Sequence, residues 1–150
     1  MASIVVDSNV LVKWFLSDEE DVSAALAIRD RIKNELVQAV TPAHALLEVA
    51  DSLRKAARQG RFSSEDVGPA VRSIDGFGLG TVLSVDSLVA ATALAQRLGI
   101  SVYDATFAQL AIDVNGPLVT ADRRLYEQAV AGGIDALWLG DAPVSSDTVG

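Results

Sequence analysis

Short, largely apolar runs alternate along this chain with longer stretches in which apolar residues recur every three or four positions. Ile4-Val5-Val6, Gln38-Ala39-Val40-Thr41, Thr81 to Val85, Leu118-Val119-Thr120 and Ala136 to Leu139 read as strands. The longer stretches read as helices, and their ends carry the usual signals. Ser8 is placed to cap a helix over Asn9–Leu16. The acids Asp18–Asp21 suit the positive end of a second helix running to about Val37. Pro42 fits the first turn of a third helix, which Gly60 ends. That helix carries Leu46, Leu47, Ala50, Leu53 and Ala57 at spacings that predict a core-facing stripe. Ser63 opens a fourth helix, terminated by Gly76, Gly78 and Gly80. Asp86 or Ser87 opens a fifth, closed by Gly99. A sixth spans Tyr103–Val114 and breaks at Gly116-Pro117, and the last spans Arg123–Val130 and stops at Gly132-Gly133.

Short apolar strands separated by helices predict an α/β fold with a parallel sheet covered on both faces. In such folds ligands bind beyond the carboxyl ends of the strands. Asp7 and Asp122 each follow a strand directly, so both side chains can point into one crevice. With 150 residues and no repeat or linker, one domain over residues 1–140 is expected. Residues 141–150 are polar and small and are expected to fray.

Composition narrows the chemistry. Half of the residues are apolar, more than a monomer of this size is expected to hide, which points to a homo-oligomer. Charges interrupt every apolar run, so no membrane helix is expected, and the start lacks the basic region of a secretion signal. The absence of cysteine makes the cytoplasm the default setting and removes thiol nucleophiles and thiolate zinc sites. His44 is the single histidine, which leaves little room for a Ser-His-Asp mechanism. What remains is oxygen-ligand chemistry, in which clustered Asp and Glu hold Mg²⁺ or Mn²⁺ and the ion activates water and clamps phosphates. The net charge of −8 argues against a nucleic-acid partner unless some acids hold cations that reverse the local field.

Four acids fit that chemistry, and each also has an ordinary reading. Asp7 and Asp122 could cap the helices that follow them, and Asp104 could be a first-turn acid. Glu48 lies between Leu47 and Val49 beside the apolar stripe, where it would serve as a ligand or pair with Arg54 or Lys55. His44, one turn before Glu48, could share a ligand with it or be a hydrogen-bonded residue at the core edge.

The local contexts are more specific than the acids alone. Val5-Val6-Asp7-Ser8-Asn9-Val10-Leu11-Val12-Lys13-Trp14-Phe15 resembles the opening of PIN-domain proteins. Thr41-Pro42, Glu48-Val49-Ala50 and Leu53-Arg54-Lys55-Ala56 resemble the family's second acidic segment. Ser101-Val102-Tyr103-Asp104-Ala105 with Leu110-Ala111 is similar to the third, and Pro117 through Leu125 to the fourth. The resemblance runs from about Ile4 to Leu139, in order, and leans toward the VapC toxins of toxin–antitoxin pairs. It implies a three-layer α/β/α sandwich around a parallel sheet and endonucleolytic cleavage of RNA that depends on Mg²⁺ or Mn²⁺. It implies Asp7, Glu48, Asp104 and Asp122 as the metal-site and catalytic acids, with Asn9 and Thr120 lining the site. It also implies a homodimer and a VapB-type antitoxin as partner. A housekeeping PIN nuclease for RNA maturation and a catalytically silent PIN-like module are the alternatives. A receiver-like phosphoacceptor domain fits poorly, because Asp7 stands alone and no strand ends in Lys.

The remaining signals are less specific. Arg54, Arg58 and Arg61 share one helix face with Lys55 close by, as a phosphate-contacting ridge or as a solvated, salt-bridged face. One of Arg123 and Arg124 is expected to pair with a site acid. Trp14 and Phe15 read as core or interface residues rather than base-stacking ones. Gly76-Phe77-Gly78-Leu79-Gly80 is not a nucleotide loop, because it ends a helix and precedes a strand, the reverse of what such a loop needs.

Overall fold

The computed structural model describes residues 1–142. Its strands are β1 (Ser3–Val6), β2 (Gln38–Pro42), β3 (Gly80–Val82), β4 (Leu118–Thr120) and β5 (Ala136–Trp138). Its helices are α1 (Ser8–Val12), α2 (Val22–Lys33), α3 (His44–Arg58), α4 (Val67–Ser73), α5 (Val85–Leu98), α6 (Val102–Val114) and α7 (Arg123–Ala131). All strand pairs are parallel, in the order β3-β2-β1-β4-β5. Val5 and Val6 point to opposite faces of β1 and both are fully buried, so helices cover both sides of the sheet. This is the parallel sheet covered on both faces that the alternation predicts, and the three-layer α/β/α sandwich that the resemblance implies.

The strand order places the site. From β1 the chain steps to β2 on one side and later to β4 on the other. The order therefore reverses between β1 and β4, and a crevice opens at their carboxyl ends. Asp7 and Asp122 follow those two strands.

Local signals set most helix boundaries. The Ser84 hydroxyl accepts from the Ser87 N–H to start α5, and Ser101 accepts from the Asp104 N–H to start α6. Gly99 closes α5 in the left-handed region at φ +69°, where a side chain would be strained. Gly116 passes so close to the Ser3 carbonyl that a Cβ there would collide with the backbone of β1.

Several boundaries differ from expectation. Ser8 is the first residue of α1 and Asp7 holds the capping position, so Ser8 is freed for contacts across the site. Asp18–Asp21 precede α2, and Asp21 takes a left-handed conformation at φ 55°. Pro42 ends β2, paired with Val82, rather than opening a helix. The fifth helix starts at Val85 because Ser84 caps it, which leaves β3 only three residues. Ser63 stands before a 3-10 turn but makes no side-chain cap there. The predicted stripe on α3 is rotated: Ala45, Val49, Leu53 and Ala56 are buried, and Leu47 is 73% exposed. Two overlapping stripes share Leu53, and the one with Ala45, Val49 and Ala56 faces the core. At the carboxyl end, Leu139–Asp141 form a 3-10 turn and Ala142 is buried, so order extends past residue 140. Residues 143–150, the rest of the segment expected to fray, lie outside the described residues.

Candidate active site

Asp7 is the centre of the crevice. It leaves β1 at the level where β4 ends and is only 5% exposed. Its Oδ2 accepts from Thr120 Oγ1 at 2.7 Å and from Asn9 Nδ2 at 3.1 Å. Thr120 Oγ1 also accepts from the Asp122 N–H at 2.9 Å, so one hydroxyl ties both aspartates together. Asn9 makes a second tie, its Oδ1 accepting from the Ala121 N–H at 3.0 Å. Ser8 Oγ lies 3.3 Å from Asp7 Oδ1 and 3.3 Å from Glu48 Oε2, and its single proton is shared between them.

The other acids come from three helices. Glu48 projects from α3, part exposed, with Oε1 3.6 Å from His44 Nε2. Asp104 sits in the first turn of α6, half-buried. Asp122 caps α7, its Oδ1 accepting from the Leu125 N–H at 3.2 Å. The ordinary reading of Asp122 as a cap is therefore correct, and its second carboxylate oxygen remains available. Glu48 does not pair with Arg54 or Lys55, because both of those bind Asp51.

Electrostatics shows that the acids feel one another. Burial raises the Asp7 carboxyl to about 6 from 3.8, and Glu48 and Asp104 push it the same way against the Thr120 hydrogen bond. Burial also raises Glu48, with Asp104 adding to the rise while His44 and Ser8 oppose it. Asp104 is raised by burial and then by Asp122, with Ser101 and Arg124 opposing. Like charges gathered in a half-dry cleft each make ionisation of the next more costly. None of the four forms an ion pair with Lys or Arg among the described residues.

This donor set fits a hard divalent cation: every donor is oxygen, and among the described residues no Lys or Arg forms an ion pair with it. The carboxylates share a cleft without closing on a point. Among the described residues no three Asp, Glu or His side chains stand together as a ready-made ligand set.

His44 resolves into the core-edge reading. Its ring packs edge-on against Phe107 and Tyr103, with centroids 5.3 Å and 5.8 Å away. Thr106 spends its hydroxyl proton on the Tyr103 carbonyl, so His44 Nε2 is the donor in the 3.2 Å contact with Thr106. Sequence reasoning missed this pair and the bridging role of Ser8, since both depend on residues far apart in the chain.

The basic ridge is shorter than expected, because α3 ends at Arg58 and Gly60 turns the chain at φ +74°, so Arg61 lies beyond the helix and does not share its face. Arg54 binds Asp51, and Arg61 forks onto Asp18 at 2.7 Å and Glu19 at 3.0 Å, while Arg58 has no ion pair among the described residues. A groove of about 430 Å³ runs from Asn9 and Ala121 past Lys13 and Lys55 to Arg61. Of the paired arginines after Asp122, Arg124 acts on Asp104 and Arg123 lies over the Trp138 ring. Trp14 is buried, its indole N–H bonded to the Ala25 carbonyl and its ring edge-on to Phe77.

Known proteins resemble this chain in sequence or in fold. Ribonuclease VapC3 of Pyrobaculum aerophilum is 29% identical over 127 residues, covering 83% of this chain and 93% of the relative. The crystal structure of PAE2754 from Pyrobaculum aerophilum superposes with a TM-score of 0.63 at 23% identity, covering 85% of this chain and 86% of that one. A domain of a functionally unknown protein from Methanocaldococcus jannaschii gives a TM-score of 0.52 at 19% identity over 99% of both chains. These two structures share the fold. The family model described as the PIN domain matches residues 4–131, most of the described chain, and this protein belongs to the PIN domain family.

Proposed function

We propose that this protein is a metal-dependent endoribonuclease of the VapC type, the toxin of a type II toxin–antitoxin pair. The observation that carries the reading is a buried Asp7, flanked by Glu48, Asp104 and Asp122, in the crevice where the strand order reverses, with no lysine or arginine ion-paired to any of the four among the described residues. The similarity to Ribonuclease VapC3 over most of both chains supports RNA as substrate and the toxin class.

In this reading Asp7, Glu48, Asp104 and Asp122 hold Mg²⁺ or Mn²⁺, which when bound supplies Lewis acidity toward a phosphodiester and its attacking water. The chain's own residues prepare the site. Thr120 and Asn9 fix Asp7 against rotation, so its free lone pairs face the cleft. Ser8 holds Asp7 and Glu48 at a set separation. The groove beside Lys55 and Arg61, with Arg54 and Arg58 on the helix that carries Lys55, offers cations to the phosphates of a bound strand, whereas Lys13 in its wall is buried and donates to the Glu20 carbonyl at 2.8 Å.

The same charge argument extends to partners. A VapB-type antitoxin that placed an Arg or Lys among the four carboxylates would satisfy them in the cation's place and close the site. Pairing with a second copy is supported by Val85, Val89 and Tyr103, which are 75%, 65% and 70% exposed, far more than apolar side chains of a solitary domain favour. No helix of the described residues is long and apolar enough to cross a membrane, and we read the protein as acting in the cytoplasm.

The deciding experiment is cleavage of a mixed cellular RNA pool by purified protein in Mg²⁺, in Mn²⁺ and in EDTA, with Asp7→Asn alongside. Metal-dependent cleavage that the variant loses is the expected result, and fragment ends would identify the target. Folded protein that cleaves no RNA class with either metal overturns the enzyme reading in favour of a silent binding module.

A further inference from the structure

Arg123 and Arg124 stand at the first two positions of α7, the positive end of the helix dipole. Cations there cost stability, and Asp122 at the cap offsets only part of that cost. Neither arginine has an ion-pair partner among the described residues. Helix stability therefore does not explain them. Arg124 has a role in the field at Asp104. Arg123 has a different one. Its guanidinium lies over the Trp138 ring at 4.3 Å, and Tyr126 tilts against the same indole at 6.3 Å between centroids.

The stack is held in place. Trp138 ends β5, and its indole edge lies against Gly140, where a Cβ would come within 2.6 Å of Nε1. Trp138 is the direct cross-strand neighbour of Thr120. Neighbouring strands are about 4.8 Å apart. Thr120 in turn bonds Asp7 at 2.7 Å. The stack thus stands one strand away from the residue that fixes the central carboxylate, and Arg123 directly follows Asp122. Arg123 is itself exposed, and besides the Trp138 ring its guanidinium meets only Tyr126 among the aromatic rings of the described residues, at 5.8 Å from that centroid. A planar cation backed by an indole is a surface on which a nucleobase stacks.

We propose that Arg123, backed by Trp138, forms a nucleobase-stacking subsite beside the acidic crevice, one that takes an unpaired base of the RNA next to the phosphate being cut. The inference rests on the ribonuclease reading. It implies a requirement for single-stranded substrate at that position, because a base inside a helix cannot leave its neighbours to lie on the guanidinium.

The test measures binding by protein carrying Asp7→Asn, so that RNA survives, with two probes of equal length and charge: octauridylate and an abasic ribose-phosphate octamer. Arg123→Lys keeps the charge and removes the plane. Trp138→Phe keeps an aromatic backing, and Trp138→Leu removes it. The subsite predicts that Arg123→Lys and Trp138→Leu weaken octauridylate binding by about 5-fold or more while leaving the abasic octamer unchanged, and that Trp138→Phe retains most of the affinity. A circular dichroism melt on each variant excludes unfolding as the cause. Equal affinity of Arg123→Lys and the parent for octauridylate overturns the subsite and leaves Arg123 a phosphate contact or a surface residue. RNA bound with no preference for bases over the abasic probe also overturns the subsite, and the ribonuclease reading survives. Failure of the wild-type protein both to bind octauridylate and to cleave RNA overturns both.

Discussion

Thr120 donates a 2.7 Å hydrogen bond to Asp7 across two neighbouring strands while accepting the N–H of Asp122. That hydroxyl is the mechanical link between the two aspartates that follow β1 and β4. Thr120→Val keeps the shape and removes both bonds. It leaves the Asp122 N–H unpaired and withdraws the contact that lowers the Asp7 carboxyl. Loss of one buried bond with a stranded partner costs about 1–3 kcal/mol. The expected outcome is a less stable protein by chemical denaturation, and RNA cleavage whose onset moves to higher pH. Thr120→Ser should restore most of both. A Thr120→Val protein with an unchanged pH profile would show that the link has no bearing on Asp7.

Asp7 also makes stability depend on pH. Its folded-state carboxyl is raised to about 6 from 3.8. The folded protein therefore holds a proton that the unfolded chain releases between those values, and metal-free stability falls as pH rises through that window. Below 3.8 the penalty is absent, and above 6 it is complete. A rise of this size corresponds to about 3 kcal/mol. The directions for Glu48 and Asp104 are the same, so they add to the trend. Asp7→Asn removes the largest contribution. Urea denaturation in EDTA at pH 4.5 and at pH 7.5 should show the variant gaining on the wild type as pH rises. A difference that stays constant across the two pH values would contradict the buried, raised carboxyl.

Cation binding should reverse that penalty. An ion that neutralises the cluster stabilises the folded state by mass action, about 2.7 kcal/mol at a hundredfold excess over its dissociation constant. Thermal melts of the wild type should rise on adding Mn²⁺ or Mg²⁺ and fall back with EDTA. The rise should shrink at pH 5, where protons compete for Asp7, and should be small in Asp7→Asn. Because the four carboxylates do not yet converge on one point, the response is expected to saturate only as they are drawn together. A melt insensitive to both ions at pH 7.5 would remove the metal site.

Much of this fold could be read from the chain, and the reasons for the misreadings are physical. β4 was legible to the residue because Gly116-Pro117 and Asp122 bound a run that is apolar on both faces. β3 was overread because Leu83 and Val85 look like strand residues, whereas β3 is an edge strand ended by the Ser84 cap. The core face of α3 is hidden in the sequence because Leu46 and Leu47 outweigh Ala45 in any hydrophobic pattern, whereas the structure buries Ala45 and exposes Leu47. At the site, Asp7 and Asp122 were readable from their places after strands. The Ser8–Glu48 contact was not, because it joins residues 40 positions apart and depends on how α1 meets α3.

The basic residues of α3, with Arg61 just beyond its end, make a separable prediction about RNA. Arg54 and Lys55 share Asp51, and Arg61 is forked onto Asp18 and Glu19, so an incoming phosphate must compete with carboxylates for each of them. Arg58 has no such competitor among the described residues and lies on the same helix face as Arg54. It lies outside the lining of the groove, in a neighbouring hollow with Lys55 and Gln59, where its charge can meet a strand that leaves the groove past Lys55. Arg58→Ala should therefore weaken RNA binding at low salt more than Arg54→Ala does. It should also reduce the slope of log affinity against log salt by about 0.7, the share of one phosphate contact on a single strand. Arg61→Ala should release Asp18 and Glu19 into the groove, so its effect on RNA combines a lost cation with two uncovered anions. Affinity measured by fluorescence anisotropy from 50 to 300 mM salt (roughly the range over which phosphate contacts are screened) separates these cases. A salt slope unchanged in all three variants would place the phosphate path elsewhere, beside α7.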